Sequence, residues 1–244
     1  MTRDTRELDW RRFQQHEFPA PSPDLAPYVA RYWVVTWDYA QPYRQLIVPY
    51  PNVHLSFRDG GARVHGVSSG HVHRELDGRG RVFGVAFHPG CFRPFLGAPV
   101  QSITDRSIPA GEVFRGLPDD ARVETVEDVL RANLPAHDPR AEQATRAVAR
   151  IAAEPAITRV DALARELAMS VRQVQRLFAE HVGVGPKWVI RRYRLHEVTE
   201  RMAAGARIDW GALAADLGYA DQAHFVRDFG AMFGESPTAY AARY

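Results

Sequence analysis

The feature that most constrains this chain is an internal repeat in its C-terminal third. Residues 163–167 (Leu-Ala-Arg-Glu-Leu) recur 50 positions later as residues 213–217 (Leu-Ala-Ala-Asp-Leu). Matching residues then follow in the same order at an offset of 51: Val174 with Phe225, Arg176 with Arg227, Phe178 with Phe229, Gly183 with Gly234 and Pro186 with Pro237. Self-similarity at a fixed period indicates a duplicated supersecondary unit. The repeat therefore predicts two copies of one small unit.

The first copy has the pattern of two short helices joined by a tight turn. Apolar residues three and four positions apart predict a first amphipathic helix, and they are Val160, Leu163, Ala164 and Leu167. Ala168-Met169 is predicted to form the turn, and Ser170 suits the N-cap of a second helix. The apolar stripe of that helix is predicted to consist of Val171, Val174, Leu177 and Phe178.

The second copy repeats the pattern with different side chains. Gly218-Tyr219-Ala220 takes the place of the turn, and Asp221 takes the place of the N-cap. Phe225, Phe229 and Phe233 form the apolar stripe. A short helix, a tight turn and a second helix with a polar outer face are typical of the helix-turn-helix motif.

With these residues in view, the C-terminal part of the chain resembles the tandem helix-turn-helix domain of AraC/XylS transcription regulators. The second copy carries the more specific match, Leu213-Ala214…Leu217-Gly218-Tyr219…Gln222…His224-Phe225…Phe233-Gly234…Ser236-Pro237…Tyr240. The resemblance implies two subdomains, at about 138–185 and 206–244, joined by a long linker helix at about 186–204. It also implies that each subdomain places one recognition helix in the major groove of double-stranded DNA.

The resemblance assigns DNA contacts to particular positions of this sequence. On the first recognition helix they are Arg172, Gln175 and Arg176, with Ser170 at its start and Lys187 on the linker helix; on the second they are Gln222, Ala223, Val226 and Arg227. Arginine can donate two hydrogen bonds to guanine, and glutamine can pair with adenine. Because Ala223 and Val226 are apolar, the first helix is expected to carry most of the sequence specificity. A basic cluster of Lys187, Arg191, Arg192 and Arg194 is expected to contact phosphates.

The N-terminal part has a different character, with short β-prone runs separated by turn signals. Strands are predicted at residues 28–39, 45–48, 53–57, 63–67, 71–76 and 81–87, and turns at 49–52, 59–61, 68–70 and 77–80. Helices are predicted at 112–134 and 140–153, with Asp138 as the cap of the latter. The predicted fold class is therefore α+β, with a small β-barrel or sandwich at residues 1–137 and an all-α domain at 138–244.

This β-rich region resembles the cupin-like N-terminal domains of the same regulators, which bind an effector, dimerise or do both. Residues that could line an apolar effector pocket are Trp33, Trp37, Leu55, Phe57, Phe83 and Phe87. A small barrel also needs such residues to fill its core, and both interpretations stay open. The resemblance further implies contact with RNA polymerase and allows a homodimer.

Composition excludes several classes of protein. The net charge of +2 is nearly neutral, so a nucleic-acid partner requires a local basic face rather than a basic chain. There is no long apolar run that predicts a membrane helix. The N-terminal residues lack the apolar core of a secretory signal. The single cysteine, Cys91, rules out an internal disulfide and agrees with a cytoplasmic protein.

Two other constellations suggest chemistry and define the alternatives. His71-Val72-His73-Arg74-Glu75 alternates like metal ligands on a strand, which would suit a cupin-like metalloenzyme with an appended helical domain. The spacing departs from the cupin pattern, and surface histidines are the preferred interpretation. Cys91 near His88 could be a nucleophile, although a buried cysteine is expected. No cofactor is predicted. A helical repeat that binds another protein is the remaining alternative to a regulator.

Overall fold

Alternating apolar residues build one antiparallel sheet in the N-terminal part of the protein. The computed structural model describes residues 13–203 and 208–242. Six strands lie in the order β1-β2-β5-β3-β4-β6: β1 Gln14–Glu17, β2 Val29–Ile47, β3 His54–Arg58, β4 Gly61–His65, β5 Val72–Phe87 and β6 Ser107–Pro109. Every neighbouring pair is antiparallel, and β1 and β6 are the two edges.

This sheet is open, whereas the sequence predicted a small barrel or sandwich. Two predicted turns matter for the difference. The turn at 49–52 exists and ends β2, but the turn at 77–80 does not, because β5 runs through it. Trp37 pairs with Gly80 in this register, and the indole ring lies against the glycine where a Cβ atom would be 2.2 Å away. The mixed α+β class is confirmed.

The two faces of the sheet have different environments. The core face carries Tyr32 and Val34 from β2, Leu55 and Phe57 from β3, and Phe83, Val85 and Phe87 from β5, all of them buried. The outer face carries residues of the opposite parity, including Trp33, Val35, Trp37 and Gly84. A two-residue turn at Asp59-Gly60, with positive φ at both residues, joins β3 to β4 as the sequence predicted.

Helices follow the sheet along the chain. They are α1 Arg93–Leu96, α2 Val123–Ala132, α3 Pro139–Ala153, α4 Val160–Glu166, α5 Val171–His181, α6 Pro186–Ala203, α7 Trp210–Asp216, α8 Gln222–Phe233 and α9 Pro237–Ala241. Short 3₁₀ turns lie at Val100–Ile103 and Ala110–Glu112. No helix among the described residues is long and apolar enough to cross a membrane.

The helix predicted at 112–134 is half wrong. Only residues 123–132 form α2, because Gly116 takes a left-handed conformation with φ of 71° and Pro118 follows two positions later. The helix predicted at 140–153 is confirmed as α3, and the Asp138 carboxylate accepts a hydrogen bond of 2.9 Å from the backbone N–H of Arg140. That bond satisfies one of the donors that a helix N-terminus leaves free.

One apolar cluster extends from the core face of the sheet into the first copy of the repeat. It contains Phe83 and Phe87 of the sheet, Val126 of α2, Val148 of α3 and Phe178 of α5. A separate cluster holds the second copy together, with Leu213, Phe225, Phe229 and Phe233 at its centre. Helix α6 contributes to both, through Val189 and Ile190 near its start and through Leu195, Val198 and Met202 farther along. The predicted linker end at 204 and subdomain start at 206 lie outside the described residues.

Candidate nucleic-acid interface

The two copies of the repeat fold with the same turn geometry. Three backbone N–H groups close the first turn, from Leu167, Ala168 and Met169 to the carbonyls of Leu163, Arg165 and Ala164, at 3.0, 3.2 and 2.9 Å. The second turn uses Leu217, Gly218 and Tyr219 with Leu213, Ala215 and Ala214, at 3.0, 2.9 and 2.9 Å. Each bond of the second set lies 50 positions after its counterpart, so the sequence repeat is a repeat of structure.

The helix that follows each turn begins at a capped residue. The Ser170 hydroxyl accepts from the backbone N–H of Gln173 at 3.2 Å, and the Gln173 side chain accepts from the backbone N–H of Ser170 at 2.8 Å. This reciprocal pair is a capping box. At the corresponding place in the second copy, the Asp221 carboxylate accepts from the backbone N–H of His224 at 2.7 Å. The predicted caps at Ser170 and Asp221 are therefore confirmed.

Helix α5 turns its apolar side inward and its polar side to solvent. Val174, Leu177 and Phe178 are buried, whereas Arg172 and Arg176 are exposed, as are Ser170, Gln173 and Gln175. The prediction for Val171 was wrong, since its side chain is 39% exposed and lies on the outer side with the arginines. Val171 therefore lies outside the apolar stripe that the periodicity predicted.

Helix α8 has a similar division with a less polar outer side. Phe225, Phe229 and Phe233 are at most 2% exposed, which confirms the predicted stripe. Gln222, Ala223 and Arg227 are exposed, and Val226 is half-buried against the cluster of the second copy. This helix therefore exposes one guanidinium and one amide, whereas α5 exposes two guanidinium groups and two amides.

The exposed cations on these surfaces are free to meet an external anion. Arg172, Arg176, Lys187 and Arg227 make no ion pair or hydrogen bond with any residue that the structure describes. Other exposed arginines of the same region are paired, for example Arg150 with Glu166 at 2.6 Å and Arg146 with Glu142 at 3.1 Å. The arginines and the lysine at the positions assigned to DNA contact are therefore not neutralised by a carboxylate of the described residues.

Two members of the predicted basic cluster are buried instead of facing DNA. Arg192 and Arg194 are 1% and 2% exposed. The Nε of Arg192 donates to the carbonyl of Pro49, and Nη2 of Arg194 donates to the carbonyl of Ile151. Arg194 also pairs with Glu197 at 2.8 Å. Burial lowers the pKa of both side chains, but an arginine inside a protein stays charged. The prediction that they contact phosphates was wrong.

Arg191 is also engaged within the protein. Its Nη1 lies 2.9 Å from Oδ2 of Asp228, so an ion pair connects α6 to α8. Asp228 lies 3.7 Å from Nε2 of His224 on the same helix. The carboxylate of Asp228, the residue after Arg227, therefore points toward α6.

The sheet does not bring the six predicted effector residues together. Leu55, Phe57, Phe83 and Phe87 lie on the core face and pack into the shared apolar cluster, where Phe87 stacks on Phe114 with ring centroids 6.2 Å apart. Trp33 and Trp37 lie on the outer face. There the indole N–H of Trp33 donates to Nδ1 of His54 at 3.3 Å, and Arg58 covers the ring of Trp37 at 4.9 Å.

The histidines that could bind a metal and the cysteine that could act as a nucleophile are in environments that do not favour either role. Within the described residues, no three His, Cys, Asp or Glu side chains come close enough to hold a metal ion. His71 binds the carbonyl of Ala231 through Nδ1 at 2.9 Å. Cys91 is buried, and its thiol donates to the carbonyls of Tyr28 and His88 at 3.2 and 3.1 Å. Burial raises the pKa of Cys91 to about 12, which opposes formation of a nucleophilic thiolate.

Comparison with known families divides the chain in two. Residues 163–243 match the model of a helix-turn-helix domain, and residues 17–109 match a domain of unknown function, DUF6597. The first range begins at Leu163 and so includes both copies of the repeat. A comparison with curated protein sequences finds no match.

Several solved structures are similar to this chain at low sequence identity. The C-terminal domain of AraT, a response regulator from Geobacillus stearothermophilus, is 19% identical over 44% of this chain and 87% of its own, with a TM-score of 0.37. An AraC-type transcriptional regulator from Chromobacterium violaceum is 22% identical over 41% and 88%, with a TM-score of 0.35. ToxT from Vibrio cholerae O395 is 11% identical over 95% and 98%, with a TM-score of 0.41.

The assignment rests on the family match and on the geometry of residues 163–242. Both copies have the helix, closed turn and capped second helix of a helix-turn-helix motif, and their spacing follows the sequence repeat. Residues 163–243 are therefore a helix-turn-helix domain, in agreement with the resemblance of this part of the sequence to AraC/XylS regulators.

Proposed function

We propose that this protein is a transcription regulator that binds double-stranded DNA in a sequence-specific manner. The observation that carries the proposal is the pair of capped helices, α5 and α8, each exposing an unpaired arginine three turns or less from its cap. A helix-turn-helix domain places its second helix in the major groove, where the N-terminal residues reach base edges. Both helices present their polar side to solvent in the folded chain, as such docking requires.

The first helix supplies most of the base recognition in this proposal. Arg172 and Arg176 are exposed one turn apart, so they lie on the same side of α5, with Gln175 beside them. An arginine fork is suited to guanine O6 and N7, and a glutamine amide to adenine. The exposed Val171 can contact a thymine methyl group. Ser170 and Lys187 contribute phosphate contacts at the edges of this surface.

The second helix contributes fewer hydrogen bonds to bases. Gln222 and Arg227 are the exposed polar candidates, with Ala223 and Val226 between them. The small apolar side chains allow close approach and methyl contact, which discriminate less strongly than paired hydrogen bonds. We assign to α8 a supporting role in recognition and in anchoring the second subdomain to the DNA backbone.

We also propose that a small-molecule effector controls this protein, but that it binds at a place other than the predicted pocket. Because Leu55, Phe57, Phe83 and Phe87 fill the core, a small molecule would have to bind on the outer face, where Trp33 and Trp37 lie over Gly84 and Gly80. Binding there would change tryptophan fluorescence, which gives a direct screen of metabolites. RNA polymerase contact and a homodimer remain predictions from the family resemblance, as does the domain boundary at residues 137–138.

Genomic fragment selection with the purified protein tests the central claim. Once a site is defined, Arg176→Ala should lose about 1–3 kcal/mol of binding free energy there and relax the preference at one base pair. Arg146→Ala removes an exposed arginine of α3 that is paired with Glu142 and to which no DNA contact is assigned, and it serves as the matched control. Fluorescence anisotropy against selected and random duplexes measures both.

Lys187→Ala separates base recognition from phosphate contact in the same assay. Loss of one phosphate contact should weaken binding to all duplexes alike and reduce the slope of log K against log salt by about 0.9. An Arg176→Ala loss of equal size on random DNA would assign that side chain to a phosphate. If the selection enriches no fragment, the proposed function is wrong.

A further inference from the structure

The second helix-turn-helix copy is joined to the sheet through two short segments of the N-terminal part. We call them the brace: residues 48–50, which follow β2, and residues 69–71, which precede β5. Val48 packs against the apolar cluster of the second copy. The backbone N–H and Nδ1 of His71 both meet the carbonyl of Ala231 on α8, at 3.3 and 2.9 Å. The recognition helix itself is thus in contact with the brace.

Arg192 is the most deeply embedded contact of the brace. Its guanidinium lies 3.9 Å above the Tyr50 ring and 5.6 Å from the ring of Phe233, and Nε donates to the carbonyl of Pro49. Tyr50 continues to α6 through its hydroxyl, which lies 3.1 Å from Nε2 of His196. Through its cation–π contacts and its hydrogen bond, Arg192 therefore connects α6 with residues 48–50 and with α8.

Trp188 makes a second polar connection near the start of α6. Its indole N–H donates to the carbonyl of Ser69 at 2.7 Å. The ring is half-buried and packs against both apolar clusters, that of the sheet with the first copy and that of the second copy. The brace therefore contacts α6 at Trp188, the residue that packs against the apolar clusters of both copies.

The first copy is attached to the sheet by packing rather than by the brace. Its apolar residues belong to the same cluster as the core face of the sheet. The Thr104 hydroxyl donates to the carbonyl of Gly183, just after α5, at 2.6 Å. Val100 and Ile103 of the neighbouring 3₁₀ turn are buried in the same cluster. The sheet is thus connected to both helix-turn-helix copies, to the first through the apolar core and to the second through the brace.

We propose that the sheet fixes the relative position of the two recognition helices, with Arg192 and Trp188 as positioning residues, and so sets the spacing between the two half-sites that this protein accepts on DNA. The inference rests on the proposed function. One inserted base pair shifts a half-site by about 3.4 Å and rotates it by about 34°. Two recognition helices connected by α6 alone could follow such a change if α6 bent. Two recognition helices that the brace also holds cannot follow it.

The test measures affinity for the selected site with its two halves moved apart or together by one and two base pairs, and for each half alone. The full-length wild-type protein should lose affinity about tenfold or more per inserted base pair. Trp188→Phe removes the bond to Ser69 but keeps an aromatic ring in place, and Arg192→Met removes the cation but keeps an unbranched buried chain. Both should reduce the spacing penalty to about threefold or less while half-site affinity stays unchanged.

Trp210→Phe is the matched control for the tryptophan change. Trp210 is also half-buried, but it stacks on Phe225 within the second copy, 6.2 Å between centroids, away from the brace. This variant should keep the wild-type spacing penalty. If Arg192→Met fails to fold, judged by its melting curve, Trp188→Phe carries the test.

Two results would overturn the inference without touching the proposed function. One is an unchanged spacing penalty in a folded Trp188→Phe variant. The other is an equal loss of affinity for the half-sites and the full site, which would make these residues supports of a single subdomain. Failure of the wild type to bind any duplex would instead contradict the proposed function.

Discussion

The turn of each helix-turn-helix copy contains one residue in the left-handed conformation, and the two copies fill it differently. Ala168 has φ of 51° in the first copy, and Gly218 has φ of 74° at the matching position of the second. A Cβ atom makes this conformation costly by about 1–2 kcal/mol, whereas glycine adopts it freely. The first turn therefore carries backbone strain that the second avoids.

A Gly-to-Ala change should lower stability in the second turn, and the reverse change should not lower it in the first. Gly218→Ala should reduce the free energy of unfolding by about 1 kcal/mol, because no atom within 4 Å of the new Cβ adds a further clash and the strain alone acts. Ala168→Gly should raise it or leave it unchanged, since relief of strain offsets the greater freedom of the unfolded chain. Urea unfolding measures both, and a loss of stability in both variants would contradict the assignment of strain to Ala168.

Single residues were the hardest level to predict from the sequence. Arg192 and Arg194 belong to a run of basic residues, and charge alone favoured a surface position. Spacing could have corrected this for Arg192, because it lies three positions after Val189 and three before Leu195, both buried. The carbonyl and aromatic partners that compensate its charge come from residues 49, 50 and 233, and no local pattern in the sequence indicates them.

At the scale of elements, the helices were more predictable than the strands. Capped amphipathic helices depend on neighbours three and four positions apart, so Asp138, Ser170 and Asp221 marked their starts correctly. Strand β5 depends on distant residues, because it continues through Asp77-Gly78-Arg79-Gly80 only where Trp37 and Asp38 of β2 pair with it. A glycine-rich tetrapeptide favours a turn until the partner strand is known.

The β3–β4 hairpin places two neutral histidines side by side. His54 and His65 are cross-strand partners, and burial lowers the pKa of each to about 4. The positive charge of Arg31 adds to this for His54, as Arg74 and Arg63 do for His65. Nδ1 of His54 accepts from the Trp33 indole, which a protonated imidazole could not do.

This hairpin should lose stability as the solution becomes acidic. Unfolded histidine binds a proton below pH of about 6.5, whereas these two stay neutral in the fold to about pH 4, so acid favours the unfolded chain. Each neutral imidazole should add up to about 1.4 kcal/mol per pH unit to the slope of stability between those values. The double variant His54→Gln/His65→Gln should flatten that slope in urea titrations from pH 7 to 4.

Comparing the slope of the double variant with that of the wild type separates His54 and His65 from the carboxylates, which also titrate in acid. His137→Gln removes an exposed imidazole and controls for the loss of a histidine elsewhere. An identical slope in the double variant and the wild type would show that His54 and His65 are protonated in the folded protein at pH 5.

At the scale of the whole molecule, the apolar clusters divide the chain differently from its sequence pattern. The sequence suggests a β-rich half and a helical half that meet near residue 138. In the structure, the helical half is itself divided, because the first copy shares its core with the sheet while the second copy has a core of its own. Continuity of a core depends on contacts between distant segments, such as Val100 with α5, and periodicity within one segment does not reveal them.

This division predicts which parts of the molecule unfold together. Phe229 is fully buried in the second cluster, between the rings of Phe225, Phe233 and Tyr240. Phe229→Ala should cost about 3–5 kcal/mol, enough to open α7, α8 and α9 while the sheet stays folded. Phe178→Ala, the matched change at the repeat-related position, should instead weaken the sheet together with α3 and α5. Amide hydrogen exchange measures both, and faster exchange confined to 160–181 in Phe178→Ala would contradict a shared core. The first copy would then open together with the sheet, and the second copy could open by itself.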